Sequence, residues 1–515
     1  MFIHSNVGSL VEPLTGRAWS TSEIIERVAG RAAYYSDAGL KRHDRVFLHY
    51  GNMLEFFVDL LAIWEMGACA IPVDVRLTAF EVEKLAEVAR PRFAVWNEPP
   101  DQATSAALQR SNISLVNLDS MRLETSGDNS AWRTGNVALD DDALILFTSG
   151  TTGQPKGVIH THRSLRARWM SLHVSLGTSV FRRTLCLLPT HFGHGLICNC
   201  LFPWLSGQDL YILPPFRADL LLELGALIDR HKITFMSSVP PVWRLALKIA
   251  KPPQRKTLKR VFCGSAPLSE VLWKSVQEWT GTRNVFNAYG ITETGSWLAG
   301  TTIEKIEPED GLIGTAWGGV LRVLPIGSTE TPVWESEDCA SGESGYVWIN
   351  TPALMKGYLG QDDLTRQAVS HGWFVTGDIG LIDERGYLYL RGREREEINK
   401  GGTKIYPSDI DSVAERFDGM LDVCAFAYAD ALYGENIGIA MVMKSSGTDE
   451  LLQLHDWMAA HLAIHQLPER WYLVDEIPRT SRGKINRESV SELCQTLPKL
   501  SLKRLLRNRS NSATD

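Results

Sequence analysis

The segment Phe147-Thr148-Ser149-Gly150-Thr151-Thr152-Gly153-Gln154-Pro155-Lys156-Gly157 constrains this chain more than any other. It sets four hydroxyl residues, three glycines and one lysine in eleven positions, directly after the apolar run Ala143-Leu144-Ile145-Leu146. A strand followed by such a loop suits a polyphosphate. Glycines let backbone N–H groups come close to oxygen, hydroxyls donate hydrogen bonds, and the ammonium offsets charge. It is not a Walker A loop, because Pro155 precedes the lysine and Gly157 follows it where that motif requires Gly and then Ser or Thr.

A length of 515 residues calls for two or more domains, and 44% hydrophobic with 22% charged residues is the composition of an ordinary globular protein. A formal net charge of -7 argues against a general nucleic-acid or anionic-membrane binder, while leaving room for one basic pocket. Cysteines are scattered; only Cys198 and Cys200 are close, and no zinc pattern is completed, so reduced thiols are expected. The start, Met1-Phe2-Ile3-His4, lacks the features of a secretory signal, and the apolar region from Phe56 to Val73 is broken by Asp59, Glu65, Gly67 and Pro72. A cytoplasmic protein with no membrane span is expected.

From residue 18 to 90 helical and strand patterns alternate. Helices are predicted from Thr21, over 53–66 and over 78–88, and strands over 45–50 and 70–73. Beyond the phosphate loop, helices are predicted over 162–175, 218–230 and 241–250, and strands over 184–188, 209–213 and 234–238. Alternation of this kind implies mainly parallel sheets with helices on their faces. From about residue 300, short strands separated by Gly turns suggest a small antiparallel or barrel-like unit. The charge run Arg391-Gly392-Arg393-Glu394-Arg395-Glu396-Glu397 reads as an exposed linker to a smaller unit.

Four more segments carry chemistry: Gly264-Ser265-Ala266-Pro267 after a strand; Asn287-Ala288-Tyr289-Gly290-Ile291-Thr292-Glu293-Thr294; Thr376-Gly377-Asp378 with Arg391-Gly392-Arg393; and Pro478-Arg479-Thr480-Ser481-Arg482-Gly483-Lys484-Ile485. An aromatic ring offers a platform for adenine, a carboxylate can hold Mg²⁺ against phosphate oxygens, and another can accept both ribose hydroxyls. In this order and spacing the five segments resemble the adenylate-forming superfamily of acyl-CoA synthetases, peptide-synthetase adenylation domains and firefly-type luciferases, over nearly the whole chain.

The resemblance implies a fold of the α/β class: a large N-terminal domain (1–394) of two parallel-sheet subdomains plus a small β-barrel-like one, and a small mobile α+β domain (395–515). It also implies residue roles. Thr148, Ser149, Gly150, Thr151, Thr152 and Lys156 would wrap the β- and γ-phosphates. Gly264, Ser265, Ala266 and Pro267 would border adenine, with Asn287, Ala288, Gly290 and a stacking Tyr289. Thr292 would contact the α-phosphate, Glu293 would hold Mg²⁺, and Asp378 with Arg393 would take the ribose. Lys484 would be the catalytic lysine of the first half-reaction, Arg395 the hinge, and Gly401 with Gly402 the lining of a pantetheine channel. The implied activity is attack of a carboxylate on ATP to give an acyl-AMP and pyrophosphate, then thioester formation with coenzyme A or with a carrier-protein phosphopantetheine.

The acid is less legible. Candidate pocket walls are His191, Phe192, His194, Gly195, Ser237, Ser238, Val239, Gly290 and Gly314. Amino-acid-activating relatives place an aspartate after the aromatic of this segment, whereas Gly193 follows Phe192 here. An uncharged acyl group, aromatic or medium aliphatic, is favoured. Many coenzyme A ligases carry histidine where Phe192 stands. His191 and His194 form an H-x-x-H pair without an accompanying carboxylate, so a metal site is not expected there. His160-Thr161-His162 reads as a helix start capped by Thr161. Rival readings are a catalytically silent nucleotide-binding scaffold, a P-loop kinase and an acyl hydrolase. Retention of Lys156, Glu293, Asp378, Arg393 and Lys484, the lysine spacing, and the missing G-x-S-x-G elbow weigh against them in turn.

Overall fold

The structure, a computed structural model, describes residues 7–118, 137–148, 155–215, 217–301, 306–326, 333, 335–401, 403–480 and 484–500, with the side chains of Arg395 and Lys404 outside that description. Of the expected site residues, Ser149, Gly150, Thr151, Thr152 and Gly402 lie outside the described residues, as does the side chain of Arg395.

Local chemistry sets the helix starts. Ser20 and Glu23 form a capping box before Thr21–Asp37, and Thr78 and Glu81 form another before Ala79–Ala89. Between them the strands Arg45–His49 and Cys69–Pro72 are almost wholly buried, the continuous apolar pattern of parallel strands covered on both faces. They belong to a seven-stranded sheet in which Lys156–Thr161, Asp142–Thr148, Cys69–Pro72, Arg45–His49 and Phe93–Trp96 lie side by side.

The second sheet has fourteen strands among the described residues. Its parallel part runs through Val285–Ile291, Arg260–Gly264, Phe235–Ser238, Arg183–Cys186 and Asp209–Ile212. At Val285–Ile291 the direction changes. Ser296–Gly300 pairs with it antiparallel, and Leu312–Ala316, Leu388–Arg393, Trp373–Ile382 and Gly345–Asn350 follow antiparallel. The antiparallel unit expected after residue 300 is therefore hydrogen-bonded edge-on to the parallel sheet. A separate five-stranded sheet begins at Ile398 and packs its own core, which includes Ile410, Ile437, Leu454 and Trp471.

Three expectations need correction. The lysine end of the phosphate segment is not loop: Lys156–Thr161 is a strand that returns antiparallel on Asp142–Thr148, with Thr148 opposite Lys156. The helix expected over 218–230 divides into a 3₁₀ turn, Ala218–Leu221, and an α-helix, Leu224–His231, since Leu221 and Leu224 are buried while Leu222 between them is exposed. The first three residues of the charge run are not a linker, because Arg391 to Arg393 end the strand Leu388–Arg393. Glu394–Glu396, a 3₁₀ turn, and Glu397 bridge to the last sheet. No helix among the described residues is long and apolar enough to cross a membrane.

Candidate active site

Three of the segments expected to carry chemistry stand at or just after the carboxyl ends of strands: Thr148 ends Asp142–Thr148, Gly264 ends Arg260–Gly264, and Thr292 follows Val285–Ile291. Trp373–Ile382 and Leu388–Arg393 pair so that Asp378 lies opposite Arg393, and the Arg393 Nε reaches Asp378 Oδ1 at 2.9 Å. The Tyr289 hydroxyl donates to Asp378 Oδ2 at 2.5 Å. Two motifs far apart in the chain, Tyr289 and the Asp378–Arg393 pair, thus meet on one buried carboxylate. That carboxylate holds the Arg393 guanidinium above its ordinary range, and burial, with Asp378 beside it, pushes the Tyr289 phenol well up. A protonated phenol and a fixed cation leave this corner rigid.

The Thr292–Thr294 turn follows, and its environment holds residues that sequence reasoning missed. The Tyr358 hydroxyl donates to Glu293 Oε1 at 2.8 Å, and Lys156 Nζ sits 5.6 Å from the centre of the same Tyr358 ring. Tyr358 therefore joins the lysine expected on the phosphates to the carboxylate expected on the metal. His160, read from sequence as part of a helix start, lies instead in the strand Lys156–Thr161, fully buried, and its Nε2 donates to the Thr292 carbonyl at 2.8 Å. Burial pushes its pKa down to about 4, so the ring is neutral. Arg168 braces the same turn, its Nε donating to the Thr294 carbonyl at 3.0 Å. Thr161 is the helix cap expected, accepting from Ser164 N at 3.1 Å.

On the acid side a π-helix spans His194–Leu201, a form concentrated at functional sites. At its start the His194 ring lies between two hydroxyls, with Nδ1 at 2.9 Å from Ser265 Oγ and Nε2 at 2.6 Å from Ser237 Oγ. The Ser237 hydroxyl also donates to the Phe262 carbonyl at 3.3 Å. His194 Nε2–H then donates to Ser237, and Nδ1 accepts from Ser265. Burial pushes the His194 pKa down to about 3, and the Trp297 ring packs at 5.5 Å. Ser265 holds a left-handed backbone, φ +66°, so the imidazole fixes a strained residue of the turn expected against adenine. Ser238 Oγ is buried with no hydrogen-bond partner among the described residues, and Val239 is buried beside it.

Other site residues have structural tasks of their own. Asn287 donates through Nδ2 to the Leu312 carbonyl at 3.1 Å. Gly290 is glycine because a Cβ there would lie 2.4 Å from the Ser296 backbone, and Gly314 because its φ is +123° with the Gly300 carbonyl 2.5 Å from a Cβ. Gly264 and Ala288 are buried in neighbouring strands, Ala266 and Pro267 are half-buried and exposed after them, and Gly195 lies in the π-helix. The expectation that no carboxylate accompanies the histidine pair is overturned: His191 Nε2 lies 3.4 Å from Asp74 Oδ2. Among the described residues no group of three or more His, Cys, Asp or Glu is arranged for a metal.

Lys484 lies on the last unit, its backbone N donating to Thr480 Oγ1 at 3.2 Å and its carbonyl accepting from Thr480 N at 2.8 Å. Gly401 N donates to the Tyr433 carbonyl at 2.9 Å on the same unit.

The profile of AMP-binding enzymes matches residues 8–359. The chain belongs to the AMP-binding enzyme family. It is 28% identical over 484 residues to an oxalate–CoA ligase of Arabidopsis thaliana, covering 91% of this chain and 92% of that one. Over 503 residues it is 28% identical to a long-chain-fatty-acid–CoA ligase of Mycobacterium tuberculosis, covering 95% and 96%. ATP-bound MatB from Rhodopseudomonas palustris shares the fold with a TM-score of 0.85 at 24% identity, over 96% of this chain and 97% of that one. The resemblance drawn from the five segments holds, and the chain is an adenylate-forming enzyme of the acyl-CoA synthetase family.

Proposed function

We propose that this protein activates a carboxylic acid with ATP and passes the acyl group to the thiol of coenzyme A. An acid oxygen attacks the α-phosphorus, the bond to the bridging oxygen of pyrophosphate breaks, and an acyl-AMP remains. Thiolate attack on its carbonyl then expels AMP and forms the thioester. The reading is carried by the junction of Tyr289, Asp378 and Arg393, which brings an aromatic face, a carboxylate and a cation together where a nucleoside would lie.

Two anions must meet in the first step, so fixed positive charge has to gather at the phosphorus. Lys484 and Lys156 supply it from this chain, and Mg²⁺ on Glu293 adds charge when bound. Thr292 orients the α-phosphate, held in place by His160 behind it. Ser149, Gly150, Thr151 and Thr152 surround the departing pyrophosphate. The unit beyond the 394/395 boundary turns about Arg395, withdrawing Lys484 and presenting Gly401 and Gly402 to the thiol. A carrier-protein phosphopantetheine would use the same path and is the alternative acceptor. The neutral walls at His194, Ser237 and Ser238 favour an uncharged acyl body, and a cytoplasmic site of action fits free thiols.

The test is pyrophosphate release with ATP, Mg²⁺ and an acid panel, run with and without coenzyme A and with holo carrier protein. Lys484→Ala should lose acid-dependent pyrophosphate exchange by ~10² to 10³, the cost of one preorganised charge, yet still make thioester from supplied acyl-AMP. Equal loss of both steps would refute the division of labour, and ADP in place of pyrophosphate would refute adenylation.

A further inference from the structure

Lys156 opens the strand Lys156–Thr161, and Glu293 lies in the 3₁₀ turn Thr292–Thr294. A lysine ammonium on its flexible stem and a carboxylate on a turn both lose freedom when they hold a ligand, a cost that preorganisation removes.

A third stretch of chain lies against both. Gly357–Tyr358 pairs antiparallel with Lys156–Thr161 at the edge of the seven-stranded sheet, Tyr358 opposite Val158. Backbone bonds pin it on either side, Lys356 N donating to the Ile159 carbonyl and Leu359 N to the Gly157 carbonyl, each at 2.8 Å. Lys356 Nζ reaches Asp142 Oδ1 at 2.6 Å, and Tyr358 N donates to Thr365 Oγ1 at 2.9 Å. Met355 N donates to the Glu293 carbonyl at 2.7 Å, so the same stretch also holds the backbone of the turn.

From this anchored stretch the buried Tyr358 side chain meets both charged groups. Its hydroxyl donates to Glu293 Oε1 at 2.8 Å, and its ring centre lies 5.6 Å from Lys156 Nζ. A phenol steadies one carboxylate oxygen without adding charge, whereas a lysine or arginine there would neutralise the group and compete with a cation. The ring draws the ammonium through its quadrupole and uses none of the three N–H groups, which phosphate oxygens can then accept from. Mg²⁺ takes one or two protein carboxylates, with substrate phosphates completing its shell. Glu293 fits that need: the phenol engages Oε1, and Oε2 is the donor a metal would use. Partners standing behind a metal ligand account for about 10- to 100-fold in metal affinity.

We propose that Tyr358 is a positioning residue with two separable tasks: its hydroxyl orients Glu293 for the metal, and its ring seats Lys156 for the phosphates. The proposal rests on the adenylation reading above and adds to it a residue that acts through the carboxylate and the lysine.

The test is calorimetric binding of ATP to the full chain, in EDTA and across a Mg²⁺ titration, with pyrophosphate release as a second readout. Tyr358→Phe keeps the ring and drops the hydroxyl. It should leave ATP binding in EDTA within about twofold, raise the Mg²⁺ needed for half-saturation by about tenfold or more, and leave kcat at saturating Mg²⁺ within about twofold. Tyr358→Leu drops both and should in addition weaken ATP in EDTA by about threefold or more. Tyr358→Met repeats that arm independently of any folding defect in the leucine variant. An unchanged Mg²⁺ requirement in Tyr358→Phe overturns the proposal. So does equal weakening of ATP in EDTA by the phenylalanine and the aliphatic variants, or no weakening by any of them. If the unaltered chain binds ATP but no acid releases pyrophosphate, adenylation alone fails and calorimetry still decides the role of Tyr358. If the unaltered chain does not bind ATP, the nucleotide reading and this proposal fall together.

Discussion

The two sides of the cleft are built on opposite electrostatics. On the nucleotide side, carboxylates are matched by cations and phenols: Asp378 by Arg393 and Tyr289, Glu293 by Tyr358 with Lys156 over the same ring. On the acid side the His194 imidazole lies neutral between two hydroxyls beside an indole, while His191 meets the Asp74 carboxylate. The difference follows from what each side meets. ATP always presents the same charges, so its partners can be fixed charges anchored on strands. The acid differs between relatives, and a neutral wall can be reshaped without leaving a charge unpaired in the interior.

Acid should expose this contrast most strongly. His49, His160 and His194 titrate at about 4, 4 and 3 in the folded chain against an ordinary 6.5, with burial the main cause each time; His162, near Trp64, behaves likewise at about 4. Between 6.5 and 4 the unfolded chain binds more protons, so stability is complete above pH 6.5 and is lost as pH falls toward 4. Each ring contributes at most about 1.4 kcal/mol per pH unit in that window. Thermal unfolding followed from pH 7.5 to 5 should show a steep fall in Tm, shallower in His194→Phe. A flat profile would mean these rings are not neutral in the fold.

Asp378→Ala attacks the charged side. It removes the common partner of Tyr289 and Arg393, and adenylation measured as pyrophosphate release should fall by ~10² to 10³, the range for loss of one preorganised group. Asp378→Asn keeps the shape but not the charge and should recover only part of the loss, since the amide cannot balance Arg393. Full recovery would show that shape, not charge, governs this side.

Legibility in the sequence follows the same line. Helix starts were readable because a cap is a local event: Ser20 with Glu23, Thr78 with Glu81, and Thr161 with Ser164 lie within four residues of each other. The family was readable because the order and spacing of its five segments are distinctive, and the family profile matches residues 8–359. The strand Lys156–Thr161 was hidden since its first residues also serve the phosphate segment, and the pattern was assigned to the loop. His160 on Thr292 spans 132 positions, and Tyr358 on Glu293 spans 65. The Asp74–His191 pair joins two different sheets. No window of sequence contains such pairs; only strand order does.

His194→Phe tests the neutral side. The phenyl ring fills the space but leaves the Ser265 hydroxyl without its imidazole partner and Ser237 with only the Phe262 carbonyl, an orphaned buried group costing about 1–3 kcal/mol. Because Ser265 belongs to the nucleotide turn, KM should rise roughly tenfold for ATP as well as for the acid. His194→Asn, able to meet one hydroxyl, should sit between. A change confined to the acid would show that the ring shapes the pocket without steadying the turn.

The smallest effect is expected where the last unit docks. Arg416 reaches Glu270 Oε2 at 3.1 Å and also pairs with Asp310, and all three side chains are partly exposed. Pairs of this kind contribute about 0.2–1 kcal/mol and are screened by salt. The same unit is also tied by the less exposed pair of Arg244 with Glu415, so the Arg416 contacts are the weaker part of its docking. Arg416→Ala should therefore leave pyrophosphate exchange unchanged and alter the thioester rate by less than ~5-fold, an effect that shrinks further as salt is raised. A loss comparable to that of Asp378→Ala would mean that the docked arrangement is part of the charged machinery, and the two-sided account of the cleft would have to include its lid.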